Sequence, residues 1–465
     1  MKIGRKDIVW NYVATFMRIA SGIIILPLVL KMLPTEEYGL WSIFLTVSSL
    51  TVLLDFGFSN SFSRNVAYVF SGVTELKAKG YAAVEVKDAQ VDFGLLKSVI
   101  KAMQRYYGAM ALIFLTIFIV GSPFYMTSIL HKYTGDKQEI WIAWFTYGGL
   151  VAYEFYTCYY NSLMSGRGLI KRNMQIIIFS QTIRILVSVI CLLLRFGIIS
   201  MIIGMLVSDI VNRTLSYYSF YDKKIKAEIK KAPVMPVIEV MKVMAPNAFK
   251  IGLTTLGFFA LSQAITLISP FYLTLPEVAQ YGISKQMVSL IFSIGGTWFG
   301  TFYPQLTQYR VRNENDSVKR LYVKAILIVT IIFIAAGSGL LLLGNPILKM
   351  IHSKTFLLND WFLLLMIIFS FFEACQSIST STLLTKNEVP FFKSVLLSGT
   401  GSLVLLFIMF KFTNLGVLSM ILAPGIALSV YHNWKWPYMV IKDLKIKPID
   451  FYRVAITTSK ELLKK

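Results

Sequence analysis

Basic side chains interrupt four of the long apolar stretches of this sequence. Arg18 and Arg184 lie deep inside their stretches, Lys285 lies toward one end of its stretch, and Lys250 lies one turn into its stretch. A charged group in apolar surroundings is costly, so it usually faces a polar cavity or a partner. Guanidinium groups bind phosphate through paired hydrogen bonds. These four residues therefore predict a cationic cavity that binds an anionic group of a substrate.

Two of these cations leave an alternative open. Lys250 lies so close to the start of its stretch that its side chain could extend to the membrane interface instead. Lys285 could pair with a carboxylate, which would neutralise it without any ligand.

Carboxylates form a second candidate set. Glu154 and Glu373 lie in the middle of two similar apolar segments, and Asp55 lies near the end of another. They either carry a coupling H+ or Na+ or balance the charge of the buried arginines, and both roles fit the sequence. Asp209 and Arg213 are four residues apart, which lets them pair on one helix. We interpret them as a structural ion pair.

The sequence contains no pattern typical of an enzyme. The histidines (His131, His352 and His432) are far apart in the chain, and the three cysteines lack metal-ligand spacing. We find no Gly-rich nucleotide-binding fingerprint. We therefore expect no catalytic residue, no metal and no cofactor.

The composition is that of a membrane protein. Apolar residues make up 56% of the 465 residues, charged residues make up 15%, and the mean hydropathy is +0.64. Ordinary soluble domains have roughly 25% charged residues, so this chain has too little polar surface for a soluble globule. Roughly 20 mostly apolar residues span a bilayer. By that rule spans are predicted near residues 8–30, 40–62, 105–127, 139–163, 174–194, 199–220, 246–270, 278–302, 323–344, 361–384, 393–411 and 416–434.

The weakest boundary in this map is Arg195-Phe196-Gly197, because only a turn there separates the fifth span from the sixth. Without that turn the number of spans would change and the orientation of the second half would invert.

The positions of the basic residues predict the orientation. With the N-terminus in the cytoplasm, the predicted cytoplasmic segments hold roughly five times as many Lys and Arg residues as the outer connections. We therefore expect both termini in the cytoplasm. The net charge of +22 is explained by topology and by contact with anionic membrane lipids, and we expect no binding of nucleic acid.

The two halves of the chain resemble each other. One set of residues recurs at a constant offset: Pro27, Tyr38-Gly39 and Phe56-Gly57 match Pro270, Tyr281-Gly282 and Phe299-Gly300. Each half holds six predicted spans, an even number, so an axis along the membrane normal relates the halves.

The predicted fold is an all-α membrane protein with about twelve transmembrane helices in two six-helix halves around a central cavity. The predicted divisions are 1–220 for the first half, 221–245 for a basic cytoplasmic linker, 246–434 for the second half, and 435–465 for a basic cytoplasmic tail.

The longest predicted connection precedes the third span. Its end, from Leu95 to Tyr107, carries apolar residues at helical spacing with Lys97, Lys101 and Arg105 between them. An amphipathic helix on the inner leaflet fits this pattern, and so does a packed helix that continues into the third span.

Several segments resemble a known family. Residues 33–41 read Leu-Pro-Thr-Glu-Glu-Tyr-Gly-Leu-Trp, and Leu54-Asp55-Phe56-Gly57-Phe58 and Arg64-Asn65-Val66-Ala67 follow. This stretch resembles the first helical pair of bacterial polysaccharide flippases, the Wzx-type translocases of O-antigen and other repeat units. Tyr281-Gly282 and Tyr303-Pro304-Gln305-Leu306 look like the second half of that family. Its superfamily also contains multidrug exporters and lipid II flippases.

This resemblance implies a function in polysaccharide and lipopolysaccharide biosynthesis. An undecaprenyl-diphosphate-linked oligosaccharide would move from the inner to the outer face of the bacterial cytoplasmic (inner) membrane by alternating access. An H+ or Na+ gradient would couple to this step, and polysaccharide polymerase machinery would be a partner. The four buried cations then become candidates for binding the diphosphate.

Two other functions remain as alternatives. A drug or cation exporter of the same superfamily would favour a cavity dominated by carboxylates. A membrane enzyme of polysaccharide assembly would usually carry a large outer loop or a soluble catalytic domain, and the predicted outer connections are short.

Overall fold

The computed structural model of the chain is a bundle of helices. None of the residues it describes lies in a strand. The described residues are 25–70, 72, 91–233, 236–311, 314–385, 390–452 and 454. The chain divides into two compact units, residues 1–255 and residues 256–465. The four-part division and the central cavity inferred from the sequence stay predictions.

Unit 1 contains the helices of the first part of the chain. Helical residues 25–32 form α1. The next helices are α2 (Thr35–Ser48), α3 (Leu50–Asp55), α4 (Phe58–Phe70), α5 (Phe93–Leu130), α6 (Lys137–Thr157), α7 (Tyr159–Gly166), α8 (Ile170–Leu193), α9 (Ile199–Phe220), α10 (Lys223–Lys231) and the first part of α11 (Val237–Ser262).

Unit 2 begins within α11 and continues to the C-terminal segment. Its other helices are α12 (Ala264–Ile268), α13 (Leu275–Val311), α14 (Asn315–Met350), α15 (Asp360–Leu384), α16 (Phe392–Phe412), α17 (Leu418–Val430) and α18 (His432–Asp443). Arg310 pairs with Asp443 at 2.9 Å and Lys319 pairs with Asp450 at 2.5 Å. These ion pairs join the end of α18 to the end of α13, and the segment after α18 to the start of α14.

The helices have the length and composition of membrane spans. Among the described residues, seven helices or continuous helix pairs are long and apolar enough to cross a bilayer. The bent pair formed by Gly252–Ser262 and Ala264–Phe271 makes an eighth if it is one span. The predicted all-α, multi-pass membrane fold is confirmed.

The turn between α8 and α9 occurs where the sequence places it. Arg195 and Gly197 have φ angles of 63° and 52°, and the Phe196 N–H donates to the Cys191 carbonyl at 3.1 Å. This backbone geometry ends α8 and reverses the chain. The predicted separation of the fifth and sixth spans is confirmed.

The start of α5 is a packed helix. Asp92 caps it by accepting a hydrogen bond from the Leu95 N–H at 2.9 Å. Leu96 and Val99 are fully buried in a core that they share with Phe62 of α4. Of the two alternatives, an amphipathic helix on the inner leaflet and a packed helix that continues into the third span, the structure shows the second. The apolar stripe at the start of α5 faces protein.

The two halves differ where the sequence repeat aligns them. Phe56 and Gly57 are left-handed, with φ angles of 46° and 73°, and they separate α3 from α4. Asp55 stabilises this break, because its carboxylate accepts hydrogen bonds from the Ser59 N–H at 3.2 Å and the Ser59 hydroxyl at 2.9 Å. Trp298 occupies the corresponding position in the second half, and α13 runs through it without a break.

Arg167 and Asp222 join the α7–α8 connection to the end of α9. Their side chains pair at 2.6 Å, and the Arg167 guanidinium also donates to the Phe220 carbonyl at 2.7 Å. Asp222 in addition caps α10 by accepting from the Ile225 N–H at 2.8 Å. The Ile225 N–H and the Arg167 side chain hold the pKa of the Asp222 carboxyl below its ordinary value.

Helices α8 and α9 pack closely and antiparallel. Asn212 of α9 donates to the Ser180 hydroxyl of α8 at 3.1 Å. Two turns earlier on α9, Gly204 lies directly against Ser188. A Cβ atom at position 204 would overlap the Ser188 hydroxyl and lie 3.0 Å from the Arg184 carbonyl. Glycine is required here because it lets the two backbones approach.

We expect Gly204→Val to destabilise unit 1 by about 1–3 kcal/mol, the usual cost of overpacking. Thermal unfolding of the purified protein in detergent measures this. Gly149→Ala in α6 is the matched control, because nothing lies within 4 Å of its Cβ position. Loss of a helical glycine there should leave stability unchanged or raise it by about 0.5–1 kcal/mol. Equal effects of the two changes would contradict the close packing of α8 and α9.

Candidate functional site

Arg184 lies at the interface between α8 and α9. It is midway between Ser180 and Ser188, the two α8 residues that contact α9 at Asn212 and Gly204. In an antiparallel pair this register places Arg184 level with residues 208 and 209 of α9. The close α8–α9 packing therefore brings the predicted guanidinium beside Asp209.

Four charged side chains form one cluster in unit 1. Arg184 interacts electrostatically with Asp209 and with Glu154 of α6, and Asp209 interacts with Arg213 one turn further along α9. Helices α6, α8 and α9 each contribute at least one of these residues. The cluster holds two guanidinium and two carboxyl groups, so it is balanced in charge when all four are ionised. The sequence predicted an excess of cations, and the described residues of this cluster do not have one.

Arg213, like Asp209, is a member of the cluster that the sequence analysis did not propose as a binding residue. Its side chain is only 8% exposed, and its Nε and Nη1 atoms are buried without a hydrogen-bond partner among the described residues. Asp209 Oδ2 is buried without a partner as well. The three ion pairs found in the described part of the chain include neither residue. The direct ion pair inferred from their spacing is therefore absent.

The unpaired groups of Arg213 and Asp209 are chemically significant. A buried guanidinium without partners loses its hydration and gains little in return, and burial of such a group is normally offset by hydrogen bonds. A ligand with anionic oxygens would supply the acceptors that the described residues do not supply. The sequence signal for these two residues was their four-residue spacing. That spacing shows that they share a helix face, but it does not give the distance between their charged atoms.

Asp55 is accounted for by local structure. Besides capping α4, it accepts a hydrogen bond from the Tyr107 hydroxyl at 2.7 Å. Both of its oxygens therefore have donors. The hydrogen bonds of Asp55 are those of a helix cap. Its predicted role in coupling or charge balance stays a prediction.

Unit 2 contains a cavity of about 370 Å³. Mostly apolar side chains line it, together with a few polar ones that include Gln263, Tyr281, Lys285, Glu373 and Asn433. Two predicted site residues from different helices, Lys285 of α13 and Glu373 of α15, thus meet in one cavity. This combination of apolar walls and few convergent polar groups is typical of a small-molecule site.

Lys285 lies at the break between α11 and α12. The two helical segments bend by 49° there. The Lys285 ammonium donates to the Ser262 carbonyl at 2.6 Å and to the Thr266 hydroxyl at 3.2 Å. In lipid a carbonyl released by a broken helix needs a donor from the protein or a bound ion. The Lys285 ammonium is therefore the donor that the released Ser262 carbonyl needs, and no bound ion is required there.

Glu373 lies within electrostatic range of Lys285, although no ion pair within the described residues joins them. The direct pairing with a carboxylate that the sequence left open for Lys285 is thus not formed. Its ammonium is bound by a backbone carbonyl and a hydroxyl, and Glu373 contributes a longer-range attraction.

His432 holds one side of this cavity in place. Its Nδ1 accepts a hydrogen bond from the Trp436 indole N–H at 2.9 Å, and its Nε2 lies 2.9 Å from the Gln376 amide. The neighbouring Asn433 lines the cavity. No group of metal-binding side chains is found among the described residues.

Two predicted site residues cannot be placed. Arg18 lies outside the described residues. Lys250 lies in α11, but its side chain is also outside the described part of the structure. The predicted participation of both residues in substrate binding stays a prediction.

Comparisons with protein-family models and with curated protein sequences found no match. Solved structures do match over nearly the whole chain. One is an inward-facing multidrug resistance MATE family transporter of the MOP superfamily, with a TM-score of 0.64, 14% identity, and coverage of 93% of this chain and 95% of that one. Another is the lipid II flippase MurJ in an inward closed conformation, with a TM-score of 0.62, 13% identity, and coverage of 98% and 91%.

An outward-facing MATE family transporter of the MOP superfamily also matches, with a TM-score of 0.52, 15% identity, and coverage of 95% of this chain and 94% of that one. At such identities the similarity concerns the fold alone. The chain shares its fold with these membrane transporters.

We expect Lys285→Met to lower the stability of unit 2 by about 1.5–3 kcal/mol, because the Ser262 carbonyl loses a charged donor. In a Glu373→Gln background the same change should cost less, because no carboxylate then remains without its cation. Thermal unfolding of the single and double variants in one detergent measures both values. The exposed Lys349→Met is the control and should shift stability by no more than about 0.5 kcal/mol. Strict additivity would show that Lys285 and Glu373 do not interact.

Proposed function

We propose that this protein is a flippase. It moves an undecaprenyl-diphosphate-linked oligosaccharide from the inner to the outer face of a bacterial cytoplasmic membrane by alternating access, with both of its termini in the cytoplasm. The shared fold with MATE family transporters and with a lipid II flippase supports a transport function. The resemblance of residues 33–67 to polysaccharide flippases favours the lipid-linked oligosaccharide over other substrates.

The observation that carries the proposal is the buried guanidinium of Arg213, whose Nε and Nη1 atoms have no partner among the described residues. Arg213 and Arg184 both lie within electrostatic range of Asp209. Two guanidinium groups within range of one carboxylate suit a diphosphate, because each can donate parallel hydrogen bonds to phosphate oxygens. A low-dielectric surrounding strengthens that attraction. The sugars would then occupy the polar interior while the polyprenyl chain stays in lipid.

Glu154 and Asp209 have a defined part in this mechanism. In the empty protein they balance the charges of Arg184 and Arg213, which would otherwise be costly in the membrane. A diphosphate must compete with these carboxylates for the guanidinium groups. Uptake of H+ or Na+ by one of these carboxylates would reduce its repulsion of the diphosphate. Substrate binding would then depend on the coupling ion. Lys285, Glu373, Lys250 and Arg18 remain proposed contributors to binding or coupling.

Export of drugs or other cations is the second candidate, and a specific observation favours it. The cavity of unit 2 is mainly apolar and contains Glu373, a combination that suits a lipophilic cation. The fold similarity includes multidrug resistance MATE family transporters. In this candidate function the carboxylates of the charge-balanced cluster in unit 1 would bind the cation.

The two candidates predict effects of opposite sign at the unit 1 cluster. For an anionic substrate, Arg213→Gln should weaken binding of a polyprenyl diphosphate about tenfold or more, and Glu154→Gln should strengthen it, because a competing charge is removed. For a cationic substrate, Glu154→Gln should weaken binding of a lipophilic cation such as ethidium, and Arg213→Gln should strengthen it. Tryptophan fluorescence or calorimetry on the purified protein measures both.

The exposed Lys223→Gln is the matched control for loss of a positive charge and should change neither affinity. Weaker cation binding in Glu154→Gln together with unchanged diphosphate binding in Arg213→Gln would reject the flippase proposal and favour the exporter.

In cells we expect Arg18→Ala and Arg184→Ala to abolish surface polysaccharide while the protein still inserts into the membrane. Deletion of the gene should cause lipid-linked repeat units to accumulate on the inner leaflet. Immunoblotting of membranes and labelling of surface glycan measure these outcomes. Normal glycan display in both variants would remove the role of the cations, and drug sensitivity as the sole effect of deletion would favour the exporter.

A further inference from the structure

A groove of about 410 Å³ separates the first turns of α5 from the first turns of α11 in unit 1. Its volume lies in the range of small-molecule sites, roughly 300–1,000 Å³. Three α5 residues and four α11 residues line it: Ala102, Arg105, Tyr106, Val237, Ile238, Met241 and Lys242. The groove belongs neither to the charged cluster nor to the cavity of unit 2.

The floor and walls of the groove are apolar. Ala102 and Val237 are buried and belong to the core, whereas Ile238 is 67% exposed although it is a large aliphatic residue. Tyr106 presents only its ring, because its hydroxyl donates to the Leu54 carbonyl at 2.8 Å. An occupant must therefore offer hydrocarbon to this surface.

Two cations stand at the rim of the groove. Arg105 and Lys242 are exposed, and neither has a hydrogen bond or an ion pair with any residue that the structure describes. Two other basic residues of unit 1 have protein partners. Lys97 donates to the Ala232 carbonyl at 2.6 Å, and Arg167 pairs with Asp222. Arg105 and Lys242 are thus available for an external anion.

Their positions along the helices place both cations near the membrane surface. Helix α5 has 38 residues, and at about 1.5 Å per residue it is longer than the hydrocarbon core of roughly 30 Å. Arg105 precedes its most apolar part, and Lys242 precedes the apolar part of α11. In the predicted orientation this is the level of the inner-leaflet headgroups.

We propose that this groove binds an anionic phospholipid of the inner leaflet. The phosphate lies between Arg105 and Lys242, and the upper part of an acyl chain covers Ile238 and the apolar floor. Basic sites beside membrane helices on the cytoplasmic side suit such headgroups. A water-soluble phosphate would leave the hydrocarbon surface uncovered, and a neutral lipid would leave the two cations without an acceptor.

The test compares lipid binding to the full-length protein in detergent by native mass spectrometry, with thermal unfolding as a second measurement. The probes are phosphatidylglycerol, phosphatidylcholine, a neutral polyprenol and soluble glycerol phosphate. The test variant is Arg105→Gln with Lys242→Gln. The control variant is Lys223→Gln with Lys224→Gln, which removes the same charge from exposed positions on α10.

We expect the wild type and the control variant to bind phosphatidylglycerol equally and to be stabilised by it. The test variant should bind it about tenfold more weakly while it unfolds at the same temperature without lipid. Equal losses in both variants would overturn the proposal, because they would show a diffuse charge effect. Equal binding of phosphatidylcholine or polyprenol by the wild type, or complete competition by glycerol phosphate, would overturn it as well.

Discussion

Polar groups within a membrane must find their partners inside the protein, and this constraint explains most of the structure. Lipid offers neither hydrogen bonds nor counter-ions, so a broken helix or a buried charge needs an internal solution. Asp55 provides one where α3 and α4 separate, since its carboxylate caps the new helix end. Lys285 provides another where α11 and α12 separate, since its ammonium binds the released Ser262 carbonyl.

The same constraint makes polar atoms without hydrogen-bond partners candidates for ligand binding. Arg213 is buried, and both Arg213 and Asp209 carry buried polar atoms without partners among the described residues. Arg184 and Glu154 lie close enough to share the charge of the cluster. The four groups together are neutral, which lowers the cost of placing them inside the protein, yet Nε and Nη1 of Arg213 have no acceptor among the described residues. In the proposed function these unsatisfied atoms would bind the substrate, because a site whose polar atoms all had internal partners would exclude a ligand.

The sequence predicted the overall fold well because its signals are local. Hydropathy and the placement of basic residues along the chain indicated a multi-pass all-α protein, and the turn at Arg195 to Gly197 lies where the pattern weakened. The sequence repeat did not predict the backbone geometry equally well in the two halves. Phe56-Gly57 breaks a helix and Phe299-Gly300 does not, because Asp55 supplies a cap in the first half and Trp298 stands at the matching position.

By itself the sequence determined which segments are apolar enough to enter a membrane, how the connections are charged and which charged residues interrupt the apolar segments, since each of these depends on residues adjacent in the chain. Only the tertiary structure decided the partners. The four-residue spacing of Asp209 and Arg213 suggested an ion pair that is absent, and the donors and acceptors around Lys285 come from a bend in another helix. Side-chain partners depend on the register and the separation of neighbouring helices. In this protein the close contact at Gly204 sets both for α8 and α9. Hydropathy does not predict that register.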